Sequence, residues 1–109
     1  MKTIIKKAET FRRALKLTDA QTHGVPDLSQ CSARSQMRTA PAGVLLGEAS
    51  CTIDTERGIV YALWTANQTA EWASGDAGYD IWLICQTEQK PIFTEKVTIA
   101  DAYTEMMND

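Results

Sequence analysis

Little in this chain carries chemistry. It has a single histidine in 109 residues, His23, and that residue stands in a Gly/Pro loop. A general base needs a positioned partner and a metal site needs several ligands close by, so His23 reads as loop decoration. No glycine-rich phosphate loop, nucleophile elbow or HExxH pair is present. Asp76 and Asp80 flank Gly78, but at that spacing they end a helix and open a strand more simply than they serve as paired catalytic carboxylates. Cysteine is scarce too: Cys31, Cys51 and Cys85 are odd in number and form no CxxC. That argues against a disulfide framework and a zinc site. Three buried thiols acting as small hydrophobes are the expectation. A single bridge across the sheets, for example Cys31 to Cys85, is the alternative. The chain is therefore expected to be no enzyme and to need no cofactor, metal or small-molecule substrate.

Long apolar runs are missing as well. None approaches the ~20 residues of a membrane span, so no membrane partner is expected. The opening MKTIIKKAETFRRALKL is basic, but Lys6, Lys7 and Glu9 interrupt every apolar stretch, which is not the pattern of a secretory signal. The default compartment is then cytoplasmic. What is present is ordinary for a globule: 44% hydrophobic residues, 23% charged residues, three Trp, three Tyr and two Phe. The length suits one domain that buries roughly two-thirds of its unfolded surface.

Charge divides unevenly. Residues 1–40 hold eight basic and three acidic side chains, a balance of +5; residues 41–109 hold three basic and eleven acidic, a balance of −8. Such asymmetry fits a basic face for nucleic acid, or unlike faces that stack head to tail. The simpler reading is that the two halves interleave in a sandwich and opposite charges meet across strands.

Strand signals arrive at short intervals. Seven are expected: Thr3–Lys7 at a lysine-blunted edge, Phe11–Thr18, Ser29–Arg38, Val44–Ile53 with a bend or bulge at Gly47, Ile59–Trp64, Gly78–Gln86 and Pro91–Ala100. Between them, Asp19–Leu28 is a loop in which Gly24 tolerates positive φ, and Thr39–Gly43, Asp54–Gly58 and Glu88–Lys90 are turns. Thr65 and Gln68 fit a capping box for a short helix running through Ala73, with Trp72 plugging one end of the sandwich. The fold class is thus all-β: a seven-stranded, two-sheet Ig-like sandwich over residues 1–100, with one short helix between strands five and six. Residues 101–109 form a polar tail expected to fray.

Three stretches resemble a pattern found in small proteins of tailed bacteriophages and prophages. Gly24-Val-Pro-Asp-Leu-Ser29 leading to Ala33-Arg34-Ser-Gln-Met-Arg38 is similar to their Gly-x-Pro-Ile-Asp-Leu-Thr-Gly followed by Ala-Arg-x-Gln-Ile-Arg. Thr65-Ala-Asn-Gln-Thr-Ala70 is similar to their helical turn, and Gly78-x-Asp80-Ile81 to the opening of their penultimate strand. The likeness covers about residues 8–100. It implies an Ig-like sandwich similar in plan to the N-terminal domain of phage baseplate upper proteins. It further implies a virion or assembly component in the host cytoplasm or the particle. Two positions depart from the pattern: Gln30 replaces a glycine, and Glu95 replaces a small residue in the last strand. The family carries no catalytic residues to transfer.

Function must then lie on surfaces. If Tyr79, Ile81, Leu83 and Cys85 face the core, Trp82 and Ile84 point outward on a central strand. Trp64 shares that anomaly beside Ile59, Tyr61 and Leu63. Exposed Trp with aliphatic neighbours marks contact patches, so Trp64, Trp82 and Ile84 are the candidate interface. Arg12, Lys16, Arg34 and Arg38 are a candidate basic face on neighbouring strands. It lacks stacking aromatics and the pI is near 5.1, which disfavours nucleic acid. The expected partners are other phage structural proteins or a second copy of the chain. The rival reading is a module that binds a host protein, a glycan or, less favourably, nucleic acid.

Overall fold

A computed structural model describes residues 2–103, and it is built from strands. In chain order these are β1 (Thr3–Lys6), β2 (Phe11–Lys16), β3 (Cys31–Thr39), β4 (Leu45–Glu48), β5 (Ser50–Asp54), β6 (Ile59–Trp64), β7 (Gly75–Cys85) and β8 (Glu88–Ala100). A single helix, α1 (Ala66–Ala70), stands between β6 and β7. One sheet has the order β1-β8-β7-β3-β4, the other β2-β6-β5. All pairings are antiparallel except β1 with β8. The fold is all-β, with two sheets enclosing one apolar core. Most of the expected tail, residues 104–109, lies outside the described residues.

Eight strands among the described residues replace the seven expected, because Val44–Ile53 is not one strand. Its first part, β4, pairs with β3, and its second, β5, pairs with β6 in the other sheet. The change of sheet falls at Ala49, whose N–H donates to the Ser35 carbonyl at 2.9 Å. Gly47 is the hinge of this crossing. Its carbonyl accepts the Trp64 indole N–H at 3.0 Å, and a Cβ there would stand 3.3 Å from Trp72 Nε1. A side chain there would make the Trp72 ring give by a few tenths of an ångström, so glycine eases the close approach of the two tryptophans.

The second correction concerns β6. The alternation of Ile59, Tyr61 and Leu63 suggested the core face, with Trp64 outside. The structure has the opposite phase: Val60, Ala62 and Trp64 are fully buried, and Ile59, Tyr61 and Leu63 are only partly buried. Both faces of this strand are apolar, so alternation cannot choose between them. Volume does: the Trp64 ring fills the space between the sheets, packed on Phe11, Trp72 and Tyr79 at centroid distances of 5.1–6.4 Å.

The third correction concerns cysteine. Cys31 and Cys85 are directly opposite in the β3–β7 register, with Cα atoms 4.1 Å apart, and a disulfide joins them. The bridge lies within one sheet, not between the two. Cys51 alone among the described residues is a free thiol, and burial pushes its pKa up.

Local signals hold elsewhere. Thr65 Oγ1 accepts from the Gln68 N–H at 3.2 Å while Gln68 Oε1 accepts from the Thr65 N–H at 2.8 Å, which is the expected capping box. The helix stops at Ala70, short of Ala73, and Trp72 is 3% exposed as the end plug. The last hairpin turns at Gln86–Thr87, with Gln86 at φ 53°, so β8 begins before Pro91. Pro91 is tolerated because β1 covers β8 only from Val97 to Ala100, leaving an open edge where a missing N–H breaks no second ladder. In the Asp19–Leu28 loop, His23 and not Gly24 takes positive φ.

Candidate functional site

The outer face of the five-stranded sheet is assembled in rows. β7 runs through its centre, between β3 and β8, and its even-numbered side chains point away from the core. Across the three strands the register gives Arg34, Trp82 and Pro91 in one row, Gln36, Asp80 and Thr94 in the next, and Arg38, Gly78 and Lys96 in the third. Trp82 and Ile84 are both partly exposed on this face, as expected. Together with Arg34, Gln36, Asp80 and Gln89 they line a shallow groove of about 230 Å³. A second, wider depression of about 490 Å³ shares Gln36, Asp80 and Trp82 with it and continues over Gly78. The two form one trough along β7.

Electrostatics holds the β3 wall of that trough. Glu48 on β4 accepts from Arg34 Nε at 2.9 Å, Arg34 Nη2 at 3.1 Å and Gln36 Nε2 at 2.9 Å. The Arg34 fork, then Gln36, keeps the Glu48 carboxyl ionised down to about 2. Arg38 donates to Gln36 Oε1 at 2.8 Å and to the Gly43 carbonyl at 3.0 Å, and has no acidic partner among the described residues.

Trp64 is absent from this surface; it is part of the core. The four cations are not one face either. Arg12 and Lys16 lie on β2, at an edge of the three-stranded sheet, and Arg34 and Arg38 lie on β3 in the other sheet. The sandwich separates the two pairs. Charge asymmetry along the chain resolves as interleaving: Lys2–Asp76, Lys7–Asp101, Arg13–Glu95 and Arg34–Glu48 each join the basic segment to the acidic one.

Sequence reading missed the polar cluster beneath the face. Arg13 donates through Nε to Glu95 Oε1 (3.0 Å) and Tyr79 Oη (3.1 Å), and through Nη2 to Glu95 Oε2 (2.7 Å) and Thr3 Oγ1 (3.1 Å). Thr3 and Tyr79 each donate to the same carboxylate at 2.6 Å. Burial alone would push the Glu95 pKa up, but these donors outweigh it and hold it at about 2. Burial and the bond to Glu95 push the Tyr79 phenol up. The signal that could have found the cluster is the alternation of Phe11, Arg13 and Leu15, which puts Arg13 on the core side of β2, where it meets Glu95. The outer stripe Ile59–Tyr61–Leu63 on β6, flanked by Arg12 and Lys16, was also missed, for the phase reason given above.

No protein-family model and no curated protein matches this chain. The surface must be read from its own chemistry. It carries an aromatic platform, hydrogen-bonding groups of both kinds and three cations, Arg34, Arg38 and Lys96.

Proposed function

We propose that this protein is a non-enzymatic structural or assembly module of a tailed phage or prophage, Ig-like in plan, that meets its partner through the outer face of the five-stranded sheet. The observation that carries the reading is Trp82 with Ile84, left partly exposed at the centre of a five-stranded sheet. A central strand has its neighbours on both sides, so an outward tryptophan there serves something beyond the sheet itself.

The Ig-like assignment is supported by connectivity. If β2 to β8 are named B, C, C′, D, E, F and G, the sheets are G-F-C-C′ and B-E-D, the variable-type arrangement, with β1 added in parallel to G. The bridge differs from the antibody plan, since it joins C to F. Disulfides persist on virions and are kept reduced in the cytosol, which favours the particle over the host cytoplasm as the working location. The partner is another structural protein of the particle or a second copy.

The rival reading, a recognition module, gains from the burial of Trp64. What remains is a narrow apolar spot within a polar surround, smaller than the desolvated centre that a tight subunit contact needs. Light scattering after size-exclusion chromatography tests the proposal, over a wide concentration range and at low and high salt. Self-assembly predicts a salt-insensitive oligomer that Trp82→Ser dissociates without altering circular dichroism. A strict monomer in every condition removes the second copy as partner.

A further inference from the structure

The trough along β7 has two unlike ends, and their spacing identifies a ligand. At one end Trp82 is partly exposed beside Ile84, with Arg34 and Gln89 lining the same groove. In the middle the Asp80 carboxylate makes no side-chain hydrogen bond among the described residues, and Gln36 and Thr94 flank it. At the other end Gly78 leaves the floor bare between Arg38 and Lys96, two cations without acidic partners among the described residues. Four residues of strand separate Trp82 from Gly78, roughly 13 Å at ~3.3 Å per residue.

We infer that this trough binds an acidic saccharide. A pyranose ring presents a flat C–H face and a rim of hydroxyls that both donate and accept. Trp82 supplies the platform for the first. Asp80 accepts from the hydroxyls, while Gln36 and Gln89 do both. A carboxylate or phosphate further along the chain of units then reaches Arg38 and Lys96 above the bare glycine. A nucleic acid would call for more cations and more stacking rings. The inference rests on the reading that this face is the contact face, and goes beyond the subunit partner proposed above by giving the same face a saccharide ligand.

The test is binding of defined probes to the intact protein by calorimetry. Sialyllactose, a uronic-acid oligosaccharide and a phosphorylated oligosaccharide are compared with lactose and maltotriose. At least one acidic probe should bind tenfold or more tightly than the neutral ones. Trp82→Ala should cut that binding tenfold or more, and so should Gly78→Val. A Cβ at Gly78 meets nothing closer than the Glu95 carbonyl at 3.4 Å and the residue's φ is not positive, so this variant fills the trough and keeps the strand. Arg38→Gln with Lys96→Gln should erase the acidic preference alone. Equal binding of acidic and neutral probes overturns the inference. So do wild-type affinity in both trough variants, equally tight binding of oligo-dT, or no binding of any probe. In that last case, a Trp82→Ser variant that still loses association keeps the contact face and assigns it to protein. A variant unchanged in association removes the face as well.

Discussion

Arg13 and Glu95 decide how this core tolerates charge. Both side chains are partly exposed, at 32% and 20%, and four donor contacts from Arg13 and two from hydroxyls gather the cluster around one carboxylate. The sign of its pH dependence follows directly. Glu95 has its pKa lowered from 4.5 to about 2, so its contribution is complete above 4.5 and is lost as pH falls toward 2. Urea unfolding at stepped pH should show wild-type stability falling through that window. Glu95→Gln should be destabilised by about 1–3 kcal/mol at pH 7, since Arg13 loses its counter-charge. Its stability should also fall less between pH 4.5 and 2. An unchanged acid limb in the variant would place the loss elsewhere, with Glu48 the next carboxylate to examine.

At the scale of elements, two fastenings hold segments that packing alone would leave loose. Five residues make a marginal helix, and the Thr65–Gln68 box satisfies its first turn. Thr65→Ala should cost about 1 kcal/mol in thermal or denaturant unfolding. The Cys31–Cys85 bridge closes a loop across a sequence separation of 54 residues. Reduction should cost about 2–4 kcal/mol, and thiol titration of the denatured, unreduced protein should find one free thiol, Cys51. Three would contradict the bridge. These elements also show what a sequence can tell. Turn chemistry and capping are local, so the helix start, the Asp54–Gly58 turn and the inward face of β7 were legible. Pairing is not local. Nothing in Val44–Ile53 says that its halves belong to different sheets, and nothing near Cys31 says that Cys85 lies opposite. The outward placement of Trp82 and Ile84 followed from clean alternation in β7. That of Trp64 failed because both faces of β6 are apolar and only the inter-sheet volume distinguishes them.

As a whole, the molecule is a sandwich whose two outer faces differ. The three-stranded face carries an apolar stripe between Arg12 and Lys16 on one side and the β5 edge on the other. The five-stranded face carries the trough, with its cations and its tryptophan. Splitting Arg12 and Lys16 from Arg34 and Arg38 removes the continuous basic stripe that a phosphate backbone would follow. The proposed contact face then depends on Trp82 being on the surface while Trp64 is core. The most direct test sets Trp82→Ser beside Trp64→Ser, measuring denaturant unfolding and partner or self-association in both. Trp64→Ser should lose about 3–5 kcal/mol, the cost of emptying a packed aromatic site. Trp82→Ser should stay within about 1 kcal/mol of wild type, in the range of surface changes, and lose association. If Trp82→Ser unfolds as readily as Trp64→Ser, Trp82 is a structural residue and the contact face is wrong.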